Sequence, residues 1–72
     1  MASPEIDPTR QEYRRLYLAG VEKIRAGEYP AALADFEAAL EVARRIGDAT
    51  LQHEAKANLA MVFIQLGQDR RA

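Results

Sequence analysis

The chain has 72 residues, enough for one small domain, and its 49% hydrophobic and 29% charged residues are typical of a globular protein. Its net charge of −1 provides no general attraction to nucleic acid or anionic lipid, and the absence of cysteine excludes disulfides and thiolate metal sites. The N-terminal segment MASPEIDPTRQE lacks the apolar core of a signal peptide, and no apolar run approaches the roughly 20 residues of a membrane span, so we expect a cytoplasmic protein.

The first predicted helix covers residues 8–26 and follows a flexible N-terminus at residues 1–7. Asp7 can cap this helix, and Pro8 suits its first position, where a backbone N–H has no partner within the helix. Apolar residues then recur at spacings of three and four along the segment. Gly27 is typical of a helix C-terminus because glycine adopts a positive φ without steric cost.

Two further helices are predicted over residues 29–46 and 50–67, and no segment has the pattern of a β-hairpin. Pro30 lies in the first turn of the second helix, and Gly47 lies directly after its end. Gly67 is predicted to end the third helix in the same way. The sequence therefore predicts an all-α fold, with an antiparallel helical hairpin followed by a third helix.

The third helix is apolar on two of its sides, most clearly in the segment LAMVFIQL at residues 59–66. A helix that is apolar all round is expected to be covered all round, and two other helices would leave one side open. We therefore predict a homo-oligomer, in the simplest case a twofold dimer. The predicted interface comprises Met61, Val62, Phe63, Ile64 and Leu66.

A weak internal repeat emerges when the chain is shifted by forty residues, which lays residues 13–32 over residues 53–72. The matched positions are Gly20 with Ala60, Ile24 with Ile64, Gly27 with Gly67, and Ala32 with Ala72. Small residues on a helix face let neighbouring helices approach closely. The repeat therefore indicates stacked pairs of helices.

These positions make the chain resemble the tetratricopeptide repeat family, in the subclass with longer helices and a period of about forty residues rather than about 34. The residues that carry the resemblance are Gly20, Gly27, Tyr29, Ala32, Phe36 and Ala39, followed by Asn58, Leu59, Ala60, Phe63 and Gly67 as the start of a second repeat. The match covers about residues 13–72, which corresponds to one and a half repeats.

The resemblance implies a fragment of an α-solenoid that acts as a scaffold or adaptor in protein–protein interactions. Members of the family bind peptides in a concave groove, which here would be lined by the first and third helices. The positions that match the groove are Arg14, Tyr17, Val21, Arg25, Ala57, Asn58, Met61 and Gln65. Asn58 is the most specific, because the family often uses an asparagine there to bond a peptide backbone. The alternative is that the apolar members of this set only pack within the chain.

No set of residues in the sequence indicates catalysis, a cofactor or a metal site. His53 is the single histidine, and the zinc-protease motif would need a second one four residues later, where Ala57 stands. Ser3 is the single serine, and the glycines are isolated rather than grouped in a phosphate-binding loop. We therefore predict that the protein is not an enzyme.

A small helix–turn–helix DNA-binding domain is the alternative interpretation. Residues 41–56, EVARRIGDATLQHEAK, have an alanine followed four residues later by a glycine, together with an arginine pair. The helix that would enter the DNA carries Thr50, Gln52, His53 and Glu54, with little positive charge. We therefore expect a peptide or protein as partner, and neither nucleic acid nor a membrane.

Overall fold

A computed structural model describes the backbone of residues 7–71 and the side chains of residues 7–67. These residues form three helices, α1 (Pro8–Arg25), α2 (Tyr29–Ile46) and α3 (Ala49–Arg71), and the described part of the chain contains no strand. The predicted all-α class is confirmed. Most of the N-terminus that was predicted to be flexible lies outside the described residues, while Asp7 lies inside them and caps α1.

Local backbone chemistry sets the ends of α1 and α2. Asp7 accepts a hydrogen bond from the backbone N–H of Thr9 at 2.9 Å, which satisfies one of the free donors of the first turn. Gly27 has a φ of 78° and Gly47 a φ of 77°, so each turns the chain out of its helix in a conformation that favours glycine. Both connections are short, and successive helices therefore pack as antiparallel neighbours.

Asp48 starts α3 by accepting a hydrogen bond from the backbone N–H of Leu51 at 3.1 Å. This bond, more than the neighbouring guanidinium of Arg10, lowers the pKa of the Asp48 carboxyl. At its other end, α3 does not stop at Gly67 as predicted but continues to Arg71. Gly67 has no positive φ, and glycine permits a helix end without imposing one.

α2 lies between α1 and α3 and supplies most of the buried side chains. The first core cluster contains Tyr13, Ala39, Val42, Ala43 and Ala55. The second core cluster contains Ala32, Phe36 and Val62, with Val21 of α1 partly buried against it. Each cluster therefore joins side chains from all three helices.

Small residues bring α1 and α2 into close contact around Gly20. A Cβ atom at this position would lie 2.8 Å from the ring of Phe36, so any larger residue would push that fully buried ring aside. Ala32 and Ala39 are fully buried on α2. The predicted close contacts at Gly20 and Ala32 are confirmed, and they explain why α2 carries alanine on its buried side.

Candidate functional site

A groove runs between α1 and α3, which lie side by side in parallel orientation. Tyr13 contacts Leu51 and Glu54, and further along both helices Tyr17 contacts Asn58. Between the helices is an open depression of about 520 Å³. The residues that line it, which define the α1–α3 groove, are Arg10, Tyr13, Arg14, Tyr17, Leu18, Leu51 and Glu54.

Two tyrosines form the floor of the α1–α3 groove. Tyr13 is buried, and its hydroxyl donates to the Glu54 carboxylate at 2.7 Å, with the Leu51 carbonyl at 3.2 Å. Burial raises the pKa of Tyr13, and the Glu54 carboxylate raises it further because it accepts the hydroxyl proton. The Tyr17 ring stacks on Tyr13 with centroids 6.0 Å apart and meets the Phe36 ring edge-on at 5.6 Å. The floor is therefore held on one side by the core and on the other by α3.

Asn58 is half-buried, and its amide nitrogen donates twice within the chain. It donates to the Tyr17 hydroxyl at 3.2 Å and to the Glu54 carbonyl at 3.0 Å. An asparagine amide has two N–H donors, so these bonds use both of them. The amide group therefore ties α3 to α1, and Asn58 is a weaker candidate for contacting a ligand than the resemblance implies.

The other predicted groove residues on α1 have different surroundings. Arg14 and Tyr17 line the depression itself. Val21 is half-buried against the second core cluster. Arg25 is exposed, and its guanidinium lies 3.6 Å from the carboxylate of Glu22. Only the N-terminal part of the predicted α1 stripe therefore belongs to the depression.

On α3, the other predicted residues follow Glu54 along the helix and lie outside the depression. Ala57 and Met61 are exposed, and Gln65 is half-buried. None of them is among the residues that line the depression, although they follow it along the same helix. The structure therefore brings together Arg14, Tyr17 and Asn58 and leaves the rest of the predicted set on the flanks.

Leu18 is a groove residue that the sequence analysis missed. It lines the depression, and 54% of its surface is exposed. It follows Arg14 by four residues and precedes Arg25 by seven, so helical spacing puts all three on one stripe. That spacing is the signal that could have identified Leu18. Tyr13 and Glu54 line the groove because α1 and α3 lie close to each other. Residue spacing within a single helix does not reveal how close two helices lie.

The apolar segment of α3 is divided between core and surface. Val62 is fully buried in the second core cluster, and Leu66 is half-buried against it. Met61, Phe63 and Ile64 are exposed over 41%, 57% and 61% of their surfaces. The predicted interface is therefore corrected, because Val62 and Leu66 belong to the core of the chain itself. Successive helix residues are rotated by about 100°, so neighbours in sequence cannot all face one partner.

The described residues include no group of three or more histidine, aspartate or glutamate side chains placed to hold a metal ion. Within the same part of the chain, every helix is too short or too polar to cross a lipid bilayer. The groove itself presents aromatic and apolar surface with charged side chains on both walls.

The chain has no significant match among protein-family models, curated protein sequences or solved structures. The resemblance to tetratricopeptide repeats therefore rests on the residues named above and stays a prediction. The three-helix all-α architecture stands independently of that resemblance.

Proposed function

We propose that the protein is a protein–protein interaction module of the tetratricopeptide type, which binds a segment of a partner protein in the α1–α3 groove. The observation that carries this proposal is the exposed Leu18 beside the aromatic floor of Tyr13 and Tyr17. Binding sites commonly combine apolar contact area in a concave surface with a few polar groups that orient the ligand. In this proposal the protein acts as a scaffold or adaptor without catalysis. A cytoplasmic location is also part of this proposal.

A DNA-binding function is less well supported. The arginine pair of the possible helix–turn–helix motif is balanced by acidic partners, since Arg44 lies 3.3 Å from Glu41 and Arg45 lies 3.9 Å from Glu12. Glu54, on the helix that would enter the DNA, would repel phosphate groups. These balanced charges favour a protein partner.

We also propose that the chain self-associates through the outer side of α3, which we define by Met61, Phe63 and Ile64. The supporting observation is that these three large apolar side chains stay exposed although α3 packs on α2. Apolar side chains that lie together on a surface are typical of interaction sites.

Selection of a random dodecapeptide library on the full chain tests the groove. The selected peptides are then titrated against Leu18→Glu and against Ala34→Glu, which makes a similar charge change at an exposed position of α2. We expect Leu18→Glu to weaken binding at least about tenfold, because it places a charge on the apolar part of the groove wall. Ala34→Glu should leave the affinity unchanged. Equal affinities for both variants would contradict the proposal.

A further inference from the structure

The charges along the α1–α3 groove are distributed unevenly between its walls. On α1, Arg10 is paired with Asp48 at 3.2 Å. Arg14, one turn later, forms no ion pair with any residue between 7 and 67. On α3, the lining residue Glu54 is negatively charged, and its carboxylate accepts the hydroxyl proton of Tyr13 at 2.7 Å. The α1 wall therefore presents an exposed positive charge that the described chain does not neutralise.

The α1 wall is apolar one helical turn after Arg14. Leu18 lies one turn after Arg14 on the same wall, and about half of its surface is open to solvent. Four residues of α-helix rise by about 6 Å, so the charge and the apolar surface are separated by roughly that distance along the groove. Tyr17 forms the floor between them. A ligand lying along α1 would therefore meet a cation and then an apolar contact at a defined spacing.

We propose that the groove recognises a protein segment in which an aspartate or glutamate accompanies a large apolar residue. The carboxylate pairs with Arg14, and the apolar side chain covers Leu18. This inference rests on the proposed function, since it names the chemistry of the ligand for the same groove. Arginine and carboxylate form charge-assisted, often bidentate hydrogen bonds. Complementary charges mainly determine which partner binds and in which direction.

The position of Glu54 sets the orientation of such a ligand. Because this carboxylate lies on the α3 wall, the acidic side chain of the ligand has to face α1. The two recognised side chains must be about 6 Å apart, which corresponds to residues two apart in an extended segment or four apart in a helix. The spacing found in bound peptides therefore also reports their conformation.

The test compares two neighbouring arginines. The random dodecapeptide library is selected in parallel on the wild-type chain, on Arg14→Glu and on Arg15→Glu. Arg15 is exposed but does not line the groove, so it provides the same charge change outside the site. Circular dichroism and thermal unfolding of the two variants establish that both keep the helices. The wild type and Arg15→Glu should enrich acidic residues at a constant spacing from an apolar one, whereas Arg14→Glu should enrich lysine or arginine there.

Titration of a selected acidic peptide measures how much each substitution changes the affinity. We expect Arg14→Glu to weaken binding about tenfold and the difference to shrink at high salt, with Arg15→Glu close to wild type. Enrichment of apolar residues without a preference for charge overturns this inference but leaves the proposed function standing, provided that Leu18→Glu still weakens binding at least about tenfold. An affinity of Leu18→Glu equal to that of the wild type overturns both, because the groove is then not the site.

Discussion

At the scale of single residues, the hydroxyl of Tyr13 is the shortest link between α1 and α3, at 2.7 Å from the Glu54 carboxylate. The same hydroxyl lies 3.2 Å from the Leu51 carbonyl, and the Asn58 amide donates to the Tyr17 hydroxyl at 3.2 Å. The two outer helices otherwise make few contacts, because each packs mainly on α2. We infer that these tyrosine contacts set the width of the α1–α3 groove.

Replacing Tyr13 by phenylalanine should lower the free energy of unfolding at pH 7 by about 1 kcal/mol, because the ring still fills its site but the hydrogen bond is lost. The raised pKa means that the folded state holds the phenolic proton more tightly than the unfolded state. This contribution is complete below about pH 10 and is lost as the pH rises further. The stability of the wild type should therefore fall more steeply above about pH 10 than that of Tyr13→Phe.

Urea denaturation of both proteins between neutral pH and about pH 11 measures this difference. Tyr29→Phe, the same change at a half-buried tyrosine of α2, serves as the control. Parallel pH profiles for the wild type and Tyr13→Phe would contradict the proton-holding role of Tyr13.

At the scale of the helices, α3 is distinguished by a glycine inside it rather than after it. Gly27 and Gly47 have positive φ and follow α1 and α2, whereas Gly67 lies within α3. A Cβ atom at Gly67 would meet nothing within 4 Å. At this position glycine therefore only adds conformational freedom to the unfolded chain, and it weakens the helix.

Gly67→Ala should accordingly stabilise the protein by about 0.5–1 kcal/mol. Gly47→Ala should destabilise it by about 1 kcal/mol, because its φ of 77° is costly for a residue with a Cβ atom. Thermal unfolding followed by circular dichroism measures both effects. A loss of stability in Gly67→Ala would indicate that the helix ends at this glycine, as its sequence position predicts.

At the scale of the whole molecule, α2 packs against both of the other helices, whereas α1 and α3 each pack mainly against α2. The outer side of α3 therefore keeps Met61, Phe63 and Ile64 about half-exposed. If a dimer buried the rest of these side chains in both subunits, the free energy of association would gain about 4–9 kcal/mol. The loss of free motion on association costs about 4–15 kcal/mol. The surplus is at most about 5 kcal/mol, so the dissociation constant is no lower than about 0.2 mM.

We therefore expect sedimentation equilibrium to show a monomer at micromolar concentration and a dimer as the concentration approaches millimolar. Phe63→Glu should suppress this dimer. Leu18→Glu, the same kind of change at an exposed apolar residue of α1, should not. Equal dimerisation of the two variants would exclude the outer side of α3 as the interface.

Sequence reasoning was sufficient for the features that depend on a few neighbouring residues. The turns at Gly27 and Gly47 follow from the φ that glycine allows, and the start of α1 follows from the cap at Asp7. The close contact at Gly20 was also predictable, because this glycine occupies a position within the apolar stripe of α1 where a large side chain would be expected. Together with the helical spacing of the apolar residues, these features predict the all-α class and the order of the helices.

The orientation of α3 was decided only by the tertiary structure. Residues 59–64 are all apolar, so no polar residue marks which side of the helix faces solvent. Val62 is the one that enters the core, because it packs with Ala32 and Phe36 of α2, while Phe63 and Ile64 are left outside. The groove also depends on the tertiary structure, because Tyr13 contacts Glu54, which lies 41 positions away in the sequence. Such contacts depend on how distant segments fit together, and local periodicity carries no information about that fit.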